Sequence, residues 1–147
     1  MQLKMILVPI DFFSCSDFAL WRAVDLAKLT GGEIHLLHAY QLPAAIPTHV
    51  TLPPRILDQL RDAAREGVHK RVELVAAQGV KADGSVVWDT PEHAILEAAE
   101  RIRADLIVMG THGRTGMKHV VLGSVAERTV RLAPCPVLTV KRPESAE

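Results

Sequence analysis

Val108-Met109-Gly110-Thr111-His112-Gly113-Arg114-Thr115-Gly116-Met117-Lys118-His119-Val120-Val121-Leu122-Gly123-Ser124 joins an apolar run to a helical pattern. The run before it, Asp105-Leu106-Ile107-Val108-Met109, reads as a buried strand. A strand that stops at glycine lets the backbone turn with positive φ and approach a ligand with no Cβ in the way. A helix opening at Ser124 leaves its first N–H groups unpaired, with the positive end of its dipole behind them, so an anion is a natural partner. An ordinary strand-to-helix turn with an N-cap would show the same residue types, but such turns usually take about 2 to 6 residues. Here fourteen positions, Gly110 to Gly123, separate strand from helix. That length favours a ligand site.

The rest of the chain alternates strand and helix. Leu3 to Ile10 is a strand whose Met5-Ile6-Leu7-Val8 core lacks alternation, as befits a strand covered on both faces. Ser16-Asp17 are placed to cap a helix with a stripe at Ala19, Leu20, Ala23, Val24 and Ala27, stopped by Gly31-Gly32. A strand at Glu33 to Tyr40 leads into Gln41 to Leu52, whose prolines disfavour helix and central strand; it reads as a mobile surface loop, a candidate flap over a ligand. A long helix follows from about Pro54 to Gln78, with Leu57, Leu60, Ala64, Val68, Val72 and Val75 on one side. Val80 to Trp88 is a third strand. Thr90-Pro91 then caps a helix striped by Ala94, Ile95, Ala98, Ala99 and Ile102. The last helix repeats these offsets at Val125, Ala126, Thr129, Val130 and Ala133, and Val137 to Val140 is a fifth strand. Such alternation means right-handed βαβ units and a parallel sheet: an α/β, doubly wound fold, expected to be a single domain over residues 1–147.

Two nucleotide motifs are excluded. No Gly-x-x-x-x-Gly-Lys-Ser/Thr occurs, and no Gly-x-Gly-x-x-Gly follows the first strand. The form present is Gly110-x2-Gly113-x9-Gly123-Ser124. With Ala104 to Gly110 before it, and Val125-Ala126-Glu127-Arg128 and Ala133-Pro134-Cys135-Pro136-Val137-Leu138 after it, this resembles the nucleotide-binding branch of the universal stress protein family across essentially the whole chain. The resemblance implies a five-stranded Rossmann-like sheet in the order 3-2-1-4-5, with its winding reversing between strands one and four. Ligands bind beyond the strand carboxyl ends at such a reversal.

The resemblance also implies a site for ATP, or AMP or ADP. Asp11, after Pro9-Ile10, would lie beside adenine or ribose; read alone it is a helix cap. Ala39 would line the adenine pocket; read alone it is core. Met109 is among the implied nucleotide contacts, Gly110 and Gly113 would admit ribose and phosphates closely, and Gly123, Ser124 and Val125 would offer them N–H groups. Arg114 suits paired phosphate oxygens, while Lys118 is as readily a solvated loop residue. Phe13 stands where relatives carry a small hydroxyl and is expected to narrow the pocket, and the role of His119 is open.

The 147 residues balance 17 Lys plus Arg against 17 Asp plus Glu, so no global field favours nucleic acid or an acidic membrane, and no apolar run reaches a membrane span. A cytoplasmic location is expected. Cys15 and Cys135 fall at opposite ends of the sheet and are expected to be free thiols. His35 and His38 lie three apart on a strand and face opposite ways, and His112 and His119 have no further ligands to complete a zinc site. Mg²⁺ held mainly by nucleotide phosphates is compatible with this chain. The expected function is therefore regulatory adenine-nucleotide binding with at most slow hydrolysis. A genuine ATPase or nucleotide transferase and a nucleotide-free interaction module are the alternatives. The resemblance implies a homodimer through Val137 to Lys141, since an exposed edge strand needs a partner.

Overall fold

Met5-Ile6-Leu7-Val8 is apolar at successive positions because helices cover both of its faces, and Ile6, Leu7 and Val8 are fully buried. In the computed structural model, which describes residues 2–112 and 122–143, the elements run β1 (Met5–Pro9), α1 (Ser14–Thr30), β2 (Glu33–Tyr40), α2 (Pro54–Ala77), β3 (Ala82–Trp88), α3 (Pro91–Arg101), β4 (Leu106–Gly110), α4 (Ser124–Leu132) and β5 (Val137–Val140). The five strands form one parallel sheet in the order β3-β2-β1-β4-β5, the order implied by the resemblance.

The pleat sorts the core into two. Ile6, Val8, Ile34, Leu36 and Val108 face α1 and α2, meeting Leu20, Val24, Val68 and Val75. Leu7, Leu37, Ile107 and Met109 face α3 and α4, meeting Ile95, Ala98, Ala99 and Ala126. Each fully buried Leu, Ile or Val contributes about 1.5–3 kcal/mol relative to exposure. The central strands are therefore the rigid base from which the loops at either end project.

Several local expectations shift. α1 opens at Ser14 behind Phe13, whose side chain makes no capping bond. Ser16 and Asp17 are inside the first turn instead of capping it, and Asp17 accepts from Arg71 Nε and Nη2 at 2.6 and 2.9 Å, tying α1 to α2. Gly31 ends α1 as expected, at φ 73°, its N–H donating to the Ala27 carbonyl. Thr90 caps α3 by accepting from the His93 N–H. The buried stripe of α2 starts only at Ala64, leaving Leu60 exposed, and α4 buries Ala126 and Thr129 and packs Val125 partly against the core, leaving Val130 49% exposed. Cys15 and Cys135 are free thiols, and burial pushes the Cys135 thiol above its ordinary value.

Candidate functional site

β1 and β4 lie side by side, yet their following helices cover opposite faces of the sheet, and a crevice opens where the two connections diverge. A cavity of about 490 Å³ occupies it. Pro9, Ile10 and Asp11 form one wall and Ala39 continues it from β2. Met109 and Gly110 supply the floor from β4, and Gly123, Ser124 and Val125 the far wall at the start of α4. Nine of the residues picked out in the sequence thus surround one space. Gly113 and Arg114, with Lys118 and His119, lie outside the described residues.

Asp11 is held by its own turn. Its Oδ1 accepts from the Phe13 N–H at 2.9 Å and from the Ser16 hydroxyl at 2.8 Å, so Ser16 fixes the carboxylate from inside α1. Oδ2 has no partner among the described residues. The turn is strained, because Phe12 sits at φ 67°, a region that bulky residues rarely enter. Packing holds it there. The Phe12 ring lies 4.2 Å from the His38 ring and 4.8 Å beneath the Arg71 guanidinium. Gly67 leaves it room, since a Cβ at that position would come within 2.8 Å of the ring. His38 Nδ1 donates to the Ile10 carbonyl at 2.8 Å. Phe13, expected to narrow the pocket, is instead 44% exposed and outside its lining.

Gly110 lines the cavity without the positive φ that its place at a strand end suggests, and it has a packing role as well. An added Cβ would lie 2.7 Å from Cys15 Sγ and 3.2 Å from the Cys15 backbone. Close packing of α1 on the end of β4 is what requires glycine here. At the far wall, Gly123 is the N-cap of α4 at φ −65° with no side-chain capping bond. The Gly123 N–H donates to the Thr111 carbonyl at 2.6 Å, so of the three expected donors it is already engaged. Ser124 and Val125, in the first turn, have no carbonyl behind them within the helix.

Sequence reasoning missed part of the lining. His38, Tyr40, Thr111 and Asp89 all face the cavity; Gln41 to Ala44, from the proline-rich segment read as a flap over the ligand, line it too. Tyr40 stands edge-on to Trp88 with centroids 5.1 Å apart. Asp89 forms a close pair with His93, and within reach of Glu97 the three make the potential metal-ligand cluster found among the described residues. Hydrogen bonding to His93 holds Asp89 below its ordinary value, and the same bond raises His93 above its own.

Residues 2–141 match the model of the universal stress protein family. The universal stress protein MJ0531 of Methanocaldococcus jannaschii is 35% identical over 146 residues, covering 96% of this chain and 84% of that protein. Among solved structures, the MJ0577 protein, described as a structure-based assignment of biochemical function, superimposes with a TM-score of 0.83 at 27% identity, covering 98% of this chain and 99% of that one. A universal stress protein from Archaeoglobus fulgidus, solved in complex with dAMP, superimposes at 0.68 with 21% identity over 96% of this chain and all of its own.

Proposed function

The chain belongs to the universal stress protein family, and from that premise we propose that it is an ATP-binding regulatory protein of the stress response with at most slow hydrolysis. The observation that carries the reading is the opening of the α4 N-terminus into the cavity opposite Asp11. Ser124 and Val125 then present N–H donors to phosphates, a fit for an anion that the helix dipole reinforces. Gly123 keeps a side chain from the phosphate path; Gly113 and Arg114, outside the described residues, are proposed as further ribose and phosphate contacts from their place in the motif. Asp11 Oδ2 accepts from a ribose hydroxyl or the adenine amine, since a carboxylate beside phosphates would be repulsive. Pro9, Ile10, Ala39 and Met109 give the base an apolar surface.

The cavity volume falls within the roughly 300–1,000 Å³ usual for small-molecule sites. The family relative solved with dAMP also holds an adenine nucleotide. ATP, ADP and AMP share the nucleoside and differ only in how far they reach along α4. Mg²⁺ would be held by the phosphates and water, with few protein ligands. The proposed assembly is a homodimer through Val137 to Lys141: among the described residues β5 pairs only with β4, and Leu138 is 40% exposed on that edge. The proposed location is the cytoplasm, and no described helix is long and apolar enough to cross a membrane.

Mass spectrometry of small molecules released from the purified protein tests the reading. An adenine nucleotide at a stoichiometry near one per chain, lost in folded Gly123→Asp protein, is the expected result. No released nucleotide, together with no thermal shift in ATP, overturns it.

A further inference from the structure

Away from that cavity, on the face of β2 and β3 that looks toward α3, three side chains form a relay. His35 is 7% exposed; its Nδ1 lies 2.7 Å from Asp83 Oδ1 and its Nε2 lies 2.9 Å from Ser85 Oγ. The sheet builds this arrangement. His35 pairs in register with Asp83, and Ser85, two residues on, projects from the same face of the neighbouring strand. An ionised carboxylate only accepts, so Nδ1 carries the proton; in the neutral ring Nε2 is then the acceptor, and the Ser85 hydroxyl donates to it. A serine hydroxyl polarised by a histidine that a carboxylate orients is the arrangement that activates a nucleophile.

The relay also lies at the sheet edge. Asp83 is exposed and Ser85 half-buried, on an edge strand. Among the described residues β3 pairs with β2 alone, and the Ile34 N–H donates to the Lys81 carbonyl. Alternation along the strand then turns the N–H of Val86, the residue after Ser85, toward the free edge, where it is available as a donor. None of the three side chains lines the C-terminal cavity.

We propose that Ser85, with His35 as general base and Asp83 as its positioning residue, is a second site on this protein that hydrolyses small, activated carboxylic esters. Ser85 Oγ attacks the ester carbonyl carbon while its proton passes to His35 Nε2. The C–O bond to the alcohol breaks, and the departing alcohol takes the proton from His35. Water then attacks the acyl-serine, giving its proton to His35, which returns it to Ser85 as the carboxylic acid leaves. The sum is ester plus water giving acid plus alcohol. The site is open instead of enclosed, which restricts it to esters with good leaving groups and excludes amides.

The full chain incubated with a fluorophosphonate probe is expected to carry one adduct, on Ser85 by peptide mass spectrometry, and to hydrolyse p-nitrophenyl acetate. Ser85→Ala removes the adduct and the hydrolysis while retaining nucleotide binding. Asp83→Asn, a change at an exposed position, slows both at least tenfold at neutral pH and alters the pH profile of labelling, which a merely structural carboxylate would not do. No adduct on Ser85, or p-nitrophenyl acetate hydrolysis undiminished in Ser85→Ala, overturns the proposal.

Discussion

The two ends of the sheet carry cavities of similar size and opposite character. At the strand amino ends a groove of about 520 Å³ lies among Lys4, Lys28, Gly31, Glu33, Gly79 and Lys81. At the carboxyl ends lies the cavity of about 490 Å³ bounded by Asp11, Gly110 and the start of α4. Size does not separate them. In a parallel α/β sheet every crossover helix begins at the strand carboxyl ends and finishes at the other, so the first groove gathers helix carbonyl ends, at Gly31 of α1 and beside Gln78 of α2. Its lysines answer that negative pole and each other's neighbours: Lys81 pairs with Glu33 at 2.6 Å and Lys28 with Gln78 at 2.9 Å. The second cavity gathers helix amino ends instead. Connection polarity, more than volume or the number of nearby lysines, is what separates the two ends: one faces helix carbonyls, the other helix N–H groups.

Placing charge at one end and removing it at the other breaks the comparison most sharply. Gly123→Asp sets a carboxylate against the phosphates and is expected to weaken ATP about 100-fold, or about 2.7 kcal/mol. Lys28→Ala and Lys81→Ala, despite deleting cations, are expected to stay within twofold; equilibrium titration checks all three. Gly110→Val tests the packing on which the carboxyl-end cavity rests. Overpacking against Cys15 is expected to cost about 1–3 kcal/mol, read by thermal denaturation as a fall of about 2–4 °C for each kcal/mol.

Asp11→Asn has a smaller expected effect, about tenfold in nucleotide affinity, in keeping with roughly 1.5 kcal/mol for a hydrogen bond to a charged group. It keeps an oxygen for Phe13 and Ser16, so the fold should be retained. The smallest change concerns the pair at the cavity rim. His93, raised from 6.5, contributes stability below that value and loses it as pH climbs through the raised one; Asp89, lowered from 3.8, contributes above 3.8 and loses it as pH falls through its lowered value. Their contribution is therefore fullest between the two ordinary values. In Asp89→Asn, NMR titration should show the His93 midpoint moving down toward 6.5.

The order of elements was legible because unbroken apolar runs such as Met5-Ile6-Leu7-Val8 and Leu106-Ile107-Val108-Met109 have one reading in an α/β chain. The long Gly110 to Gly123 connection pointed to the carboxyl-end crevice for the same reason: it exceeds what a turn needs. What stayed hidden depends on contacts between distant residues. Nothing near Gly110 in the chain announces Cys15, and nothing near Phe12 announces His38, Arg71 and Gly67, which together hold it at φ 67°. His35, Asp83 and Ser85 become a relay only once β2 and β3 are set in register. Ser16 shows the same limit on a shorter scale. It reads as a cap, but an α1 that opens at Ser14 turns it back onto Asp11.

The central claim is that phosphate is held at the amino end of α4. Calorimetric titration of the purified protein with ATP and, separately, with adenosine tests it most directly. The account predicts one ATP per chain, bound at least tenfold more tightly than adenosine. Equal affinities for the two, or an ATP preference that survives Gly123→Asp, would contradict it.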